Sequence, residues 1–127
     1  MRREFDLAPA DTLALDALGC PWEAVRSGSA LWIVLHKFTI PPGYNVTRAR
    51  VAIRVDSYPP GPLDMAYFHP PIARADGKQI NNLSEFAFEG ETYQQWSRHY
   101  SWSSDIHNLS SHIRRIRSWL KHEFRKR

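Results

Sequence analysis

Apolar and polar side chains alternate most regularly between positions 48 and 56. Val51, Ile53 and Val55 point to one side, and Arg50, Arg54 and Asp56 mostly to the other. A period of two over this length predicts a half-buried antiparallel strand. Runs rich in β-branched and aromatic residues predict three more strands, at 22–26, 30–40 and 65–68.

A period of three to four marks the C-terminal helix. The N-cap predicted for it is Ser103, Ser104 or Asp105. The apolar stripe predicted to pack on the sheet consists of Ile106, Leu109, Ile113, Ile116, Leu120 and Phe124.

An opening helix is predicted over residues 6–18. Pro9 suits its first turn, Asp6 or Asp11 could cap it, and Gly19 follows its end. Residues 85–100 predict a small hairpin that turns at Glu89-Gly90-Glu91, and we expect it to lie over the chain near His69. A helix, a meander of three to four strands, a hairpin and a second helix predict an α+β fold.

Composition favours one domain spanning residues 1–127, with a core at about 9–120. The chain has 127 residues, 43% of them apolar, and no apolar run of the roughly 20 residues that a membrane span needs. The first residues lack the apolar core of a signal peptide, and one cysteine cannot form an internal disulfide. We therefore expect a soluble, cytoplasmic protein.

Positive charge is concentrated at the C-terminal end. Seven of the 17 basic residues lie in the last 14 positions, where Glu123 is the one acidic residue. A solvated helix face is the favoured interpretation, and an acidic protein surface or nucleic acid is the alternative partner. No zinc-finger, RNA-binding or recognition-helix pattern accompanies the charge, so nucleic acid is the weaker choice.

Several short motifs occur in a defined order along the chain. They are Leu7-Ala8-Pro9-Ala10-Asp11, Ile40-Pro41-Pro42-Gly43-Tyr44, Tyr58-Pro59 with Asp64-Met65, His69-Pro70-Pro71, Asp76-Gly77 and Trp96-Ser97-Arg98-His99. This order resembles the ubiquitin-conjugating (UBC) enzymes, and most closely the prokaryotic ubiquitin-conjugating-like family E. The resemblance implies a UBC-like fold without a cofactor. It also implies three partners: a ubiquitin-like protein, an adenylating activating enzyme and a pathway peptidase.

The chain departs from this family at its catalytic centre. In the classical motif an asparagine follows His-Pro, whereas here Pro71 offers neither a side-chain donor nor a backbone N–H. The catalytic cysteine would fall near Ile80 or Asn81, and no cysteine follows Cys20. Thioester chemistry at the standard position is therefore excluded.

The tetrad from Trp96 to His99 offers a replacement. If it is a strand, Ser97 and His99 share a face about 7 Å apart, so the imidazole could activate the hydroxyl directly or through a water. Arg98 could bind a carboxylate or phosphate bidentately, and the Trp96 ring could line the site. The alternative is that Ser97 satisfies backbone groups and His99 is a packed surface residue.

Other candidates carry less chemistry. We expect His69 to shape its own loop by hydrogen bonding, Asp76-Gly77 to form a turn, and Cys20 to be a structural thiol. The histidines show no metal-ligand spacing, so no metal site is predicted.

Two functional hypotheses follow. The chain is either a noncanonical conjugating enzyme that accepts a ubiquitin-like C-terminus on Ser97, or a catalytically silent variant that binds the activating enzyme or the ubiquitin-like protein. The tetrad favours the enzyme, and the missing cysteine favours the silent scaffold.

Overall fold

One antiparallel sheet of six strands carries the fold in this computed structural model, which describes residues 1–125 except the side chain of Asp64. The strands follow the order β1-β2-β3-β4-β6-β5 across the sheet. Their bounds are Trp22–Ser27 (β1), Ala30–Thr39 (β2), Arg48–Arg54 (β3), Asp64–His69 (β4), Leu83–Phe88 (β5) and Glu91–Trp96 (β6). The α+β prediction is confirmed.

Both helices pack on one face of this sheet. Helix α1 spans Pro9–Asp16 and α2 spans Leu109–His122, followed by a 3₁₀ turn at Glu123–Arg125. Strand residues such as Val51 and Ile53 meet Ile113 and Ile116 in one core, and all four are at most 2% exposed. The predicted meeting of the strand alternation with the helical stripe is confirmed.

The opposite face of the sheet carries a second, smaller hydrophobic cluster. Trp32 of β2 packs against Phe86 and Phe88 of β5, with ring centroids 5.4 and 4.7 Å apart. Arg2 ties the two ends together, because its guanidinium pairs with both Glu23 of β1 and Glu89 at the β5–β6 turn. Because β6 pairs with β4, the β5–β6 hairpin continues the sheet beside β4. It does not lie over the chain near His69 as we expected.

Helix ends differ from the sequence prediction. Asn108 caps α2, because its side-chain oxygen accepts a hydrogen bond from the Ser111 amide. In turn, the Ser111 hydroxyl oxygen accepts a hydrogen bond from the Asn108 amide. The cap predicted at 103–105 is wrong, since Ile106 precedes the helix and is 71% exposed. Helix α1 begins after Ala8 with no side-chain cap, although Pro9 occupies the first turn as predicted.

The Tyr-Pro motif joins the two helices. The Tyr58 hydroxyl donates to the buried Asp11 carboxylate (3.0 Å) and accepts from the Leu109 amide (3.1 Å) at the start of α2. Burial raises the pKa of Tyr58 to about 12, so the phenol keeps its proton across the physiological range. This motif is thus a tertiary tie as well as a turn.

Candidate functional site

The loop after β4 is anchored to β6 through His69. Its Nδ1 lies 3.0 Å from the Thr92 carbonyl oxygen, and its Nε2 lies 2.8 Å from the Glu91 carboxylate. A carbonyl and a carboxylate both accept, so both contacts are hydrogen bonds when the imidazole carries two protons. The imidazole thus bonds a neighbouring strand, whereas we expected it to bond its own loop. The His69-Pro70 peptide is cis.

Gln94 holds the next part of this loop. Its amide nitrogen donates to the Ile72 carbonyl (3.0 Å), and its amide oxygen accepts from the Ile72 N–H (3.2 Å) and the Trp96 indole (2.9 Å). Trp96 is fully buried among core aromatic rings. Sequence reasoning missed Gln94. The one available signal is its position two residues before Trp96, which places both side chains on one face of β6.

Asp76 and Gly77 form the turn that the sequence predicted. The Asp76 carboxylate accepts from the Arg74 guanidinium (2.6 and 3.0 Å) and from the Lys78 amide (3.0 Å). The Arg74 guanidinium holds the pKa of Asp76 below its usual value. Gly77 has φ of +80°, a conformation that side chains rarely adopt.

The C-terminal end of the chain secures this turn. Arg74 is 7% exposed and donates to the Glu123 carbonyl oxygen at 2.7 Å. The turn and the end of α2 are consequently one hydrogen-bonded unit, which sequence spacing alone does not reveal.

A cleft of about 400 Å³ opens where the family cysteine would lie. Ile80 is 6% exposed, and neither it nor its neighbour Asn81 has a nucleophilic side chain. The lining includes Ile72, Arg74, Lys78, Ile80, Leu83 and Gln94. The residues that line this cleft therefore include no thiol.

Ser97 and Arg98 are hydrogen-bonded to the segment at one edge of this cleft. The Ser97 amide donates to the Asn82 carbonyl at 3.0 Å, and the Arg98 guanidinium donates to the Asn81 carbonyl at 3.1 Å. Both residues therefore touch the segment that carries the expected cysteine position. Strand β6 ends at Trp96, so the condition under which Ser97 and His99 would share one face of a strand is not met.

Arg98 is committed to internal contacts. Its guanidinium lies 3.5 Å from the buried Glu123 carboxylate and 4.8 Å from the centre of the Trp96 ring, and its side chain is 13% exposed. This guanidinium holds the segment after β6 to the end of α2. Arg98 also contributes to the lining of the groove that contains His99.

His99 belongs to a different groove. This groove has a volume of about 480 Å³, and its lining includes Arg54, Asp56, Tyr100 and Trp102 beside His99. His99 is exposed, and within residues 1–125 no hydrogen bond joins it to Ser97. The Ser97 backbone is thus hydrogen-bonded to the segment that contains the expected cysteine position, and His99 lines the other groove.

Other chemistry is sparse in the part of the chain that the structure describes. Within it, no group of histidine, cysteine, aspartate or glutamate side chains could hold a metal ion. Cys20 is partly buried, and this burial raises the pKa of its thiol. Among residues 1–125, no helix has the length and apolar character that crossing a bilayer requires.

The fold and the motif order match one known family. The sequence profile of Prokaryotic E2 family E aligns with residues 7–123. The chain belongs to this family. Membership supports a ubiquitin-conjugating-like role and, in general, interaction with a ubiquitin-like protein and an activating enzyme. Comparison with curated proteins and with solved structures gives no match.

Proposed function

We propose that this chain accepts the C-terminus of a ubiquitin-like protein on the Ser97 hydroxyl and passes it to an amine. The observation that carries the proposal is the pair of hydrogen bonds that join Ser97 and Arg98 to the carbonyl groups of Asn82 and Asn81. They bring a hydroxyl to the segment where the family has its thiol. The Ser97 side chain is half-buried, and it forms no hydrogen bond within residues 1–125 that would occupy it.

The chemistry has two steps. The Ser97 oxygen attacks the activated carbonyl carbon at the C-terminus of the ubiquitin-like protein, which the activating enzyme carries. The hydroxyl proton passes to a base, and AMP or the thiolate of the activating enzyme leaves. The product is a seryl oxyester. An amine then attacks the same carbon and forms an amide, and the serine oxygen leaves as the hydroxyl.

The second step needs a general acid. An alkoxide is far more basic than a thiolate, whose parent thiol has a pKa of about 8.5, so the leaving oxygen must be protonated. His99 is two residues from Ser97 along the chain, and we assign it as the donor of this proton. In our proposal it turns toward Ser97 when the activated C-terminus fills the space between the two grooves.

Adduct formation tests this function. The protein is incubated with its activating enzyme, ATP and the ubiquitin-like protein. We expect a covalent adduct that survives thiol reductants and is cleaved by hydroxylamine. Ser97→Ala should abolish it, while Cys20→Ala and the neighbouring Ser84→Ala should leave it intact. His99→Ala should slow formation or transfer by roughly 10²–10⁴-fold, the usual share of general acid–base catalysis.

A silent scaffold is the second candidate, and one observation favours it. Within residues 1–125 no hydrogen bond joins Ser97 to His99, although Arg98 between them is paired with Glu123. A scaffold would bind the activating enzyme or the ubiquitin-like protein without forming any adduct. Absence of an adduct with a competent activating enzyme, together with retained binding, would select this function.

A further inference from the structure

The two edges of the sheet differ in what covers them. Along β1, the first residues of the chain form a parallel bridge: the Glu4 amide donates to the Ala24 carbonyl at 2.9 Å, and the Ala24 amide donates to the Arg2 carbonyl at 3.0 Å. Strand β5 is the other edge, and within residues 1–125 it pairs with β6 alone. The chain therefore covers one edge of its sheet and leaves the outer side of β5 open.

The turn of the β5–β6 hairpin identifies the backbone groups on this open side. Glu89 and Gly90 both have positive φ, at 51° and 77°, and a two-residue turn of this kind makes Phe88 and Glu91 a hydrogen-bonded pair. Bonded and non-bonded pairs alternate along an antiparallel ladder, so every second residue of β5 points its N–H and C=O groups away from the sheet. These outward residues are Leu83, Glu85 and Ala87.

Strand β5 lacks the features that usually block strand addition. It contains no proline and no lysine, and its register with β6 is unbroken from Leu83 to Phe88. Glu85 and Ala87 are exposed. No hydrogen bond from elsewhere in the described chain reaches the outward N–H and C=O groups. An extended peptide can pair with an edge of this kind through main-chain hydrogen bonds.

The start of this edge lies beside the proposed nucleophile. Asn82 directly precedes β5, and its carbonyl accepts from the Ser97 amide at 3.0 Å. Asn82 and Leu83 both line the cleft of about 400 Å³, and a groove of about 220 Å³ extends from Leu83 to Glu85. A peptide antiparallel to β5 would thus direct its C-terminal end toward Ser97, whereas a parallel one would direct it toward the hairpin turn.

The spacing of strands indicates which part of such a peptide would pair with β5. The added strand and Ser97 lie on opposite sides of β5, so about two strand spacings, or roughly 10 Å, separate them, which about three extended residues span. The residue opposite Glu85 would then stand about five positions before the C-terminus. Opposite charges directly across a ladder are favourable, so this residue should be lysine or arginine.

A second copy of the chain fits this edge poorly. The antiparallel register that pairs all three outward residues of two copies places Glu85 directly opposite the same residue of the other copy. Two carboxylates in that position destabilise a ladder. A peptide with a basic residue at this position has no such repulsion.

We propose that the C-terminal tail of the ubiquitin-like protein adds to β5 as an antiparallel strand, with a basic side chain opposite Glu85. This inference rests on the proposed function for the identity of the tail. Main-chain hydrogen bonds to the outward groups would supply affinity, and Glu85 would supply the side-chain preference. The tail would in this way bring its terminal carbonyl to Ser97.

Amide hydrogen exchange of the ¹⁵N-labelled chain tests strand addition residue by residue. On addition of the purified ubiquitin-like protein, we expect the Glu85 and Ala87 amides to exchange about tenfold more slowly. The Phe86 amide already bonds β6, so its exchange should not change. A truncated form of the ubiquitin-like protein that lacks the tail is the control, and it should protect neither outward amide.

Two variants test the same contact through the rate of adduct formation at limiting ubiquitin-like protein. Ala87→Pro removes an outward N–H without removing a bond to β6, and we expect a rate about tenfold lower. Glu85→Gln should lower the rate about threefold, while Asp105→Asn, which removes an exposed carboxylate elsewhere, should leave it unchanged. Urea unfolding checks that Ala87→Pro is folded, and the exchange measurement on the unaltered chain decides if it is not.

Two outcomes of the exchange experiment would overturn the inference. One is equal exchange of Glu85 and Ala87 with and without the ubiquitin-like protein. The other is protection that rises with the concentration of the chain alone, together with a dimer in sedimentation. Failure of the proposed function looks different: protection by the intact tail without any adduct would retain the edge site and exclude Ser97. Adduct formation by folded Ala87→Pro at the unaltered rate would exclude the edge site and retain Ser97.

Discussion

The loop that follows β4 and the segment that follows β6 lie side by side but are held very differently. In the loop, Ile72 and Asp76 are fixed by side chains of Gln94 and Arg74. In the segment, the Ser97 hydroxyl forms no hydrogen bond within residues 1–125, and His99 is exposed. Side-chain hydrogen bonds thus fix the loop, whereas within residues 1–125 none holds the hydroxyl that we propose as the nucleophile.

The largest expected effect comes from the frame. Gln94→Ala would leave the Ile72 amide and carbonyl and the buried Trp96 indole without partners, so we expect the free energy of unfolding to fall by about 2–4 kcal/mol. Gln95→Ala is the matched control, since Gln95 is also half-buried and its side chain forms no hydrogen bond among the described residues. Urea unfolding should show a loss of less than about 1 kcal/mol for the control. Equal losses would mean that Gln94 does not brace the loop.

The Tyr58 tie should rank next. Tyr58→Phe removes the hydroxyl that joins Asp11 to Leu109, which should cost about 1–2 kcal/mol. A double-mutant cycle with Asp11→Ala isolates the contact between these two side chains. We expect a coupling free energy of at least about 0.5 kcal/mol, and a value near zero would show that the hydrogen bond contributes nothing.

Acid should weaken the loop through Asp76. The pKa of Asp76 is depressed by Arg74, so its contribution to stability is complete above the ordinary value and is lost as the pH falls through the depressed one. Asp76→Asn removes this contribution at every pH. Urea midpoints measured between pH 7 and pH 2 should therefore fall more for the unaltered chain than for the variant. Parallel curves would contradict the assignment.

The smallest effect on stability should come from the candidate nucleophile. Ser97→Ala removes a hydroxyl without a hydrogen-bond partner among the described residues, so the change in unfolding free energy should stay within about 0.5 kcal/mol. A loss of 2 kcal/mol in urea unfolding would instead show that Ser97 serves the fold. The comparison of frame and segment would then fail.

The fold could be predicted to the extent that local pattern determines it. The period of two at Val51 to Val55 and the stripe through Ile113 and Ile116 are local signals, and the structure confirms both. The cap of α2 was misplaced because Ser103 and Asp105 offer the same chemistry as Asn108, and tertiary packing selects among them.

The site was less predictable because its frame depends on distant residues. Arg74 bonds Glu123 across 49 positions, and Gln94 bonds Ile72 across 22. A motif search finds Trp96 and Ser97 but gives no sign that His99 is exposed in a groove without a hydrogen bond to Ser97. That arrangement depends on the path of the chain after β6 ends at Trp96, which the sequence of the tetrad does not specify.

The central claim is that Ser97 carries the ubiquitin-like C-terminus. Its most direct test is tandem mass spectrometry of the adduct formed with the activating enzyme, ATP and the ubiquitin-like protein, trapped in acid and digested. We predict that the modification maps to Ser97, that it disappears after hydroxylamine and that it persists after a thiol reductant. Modification of Cys20 or a lysine in place of Ser97, or no adduct with a competent activating enzyme, would contradict the account.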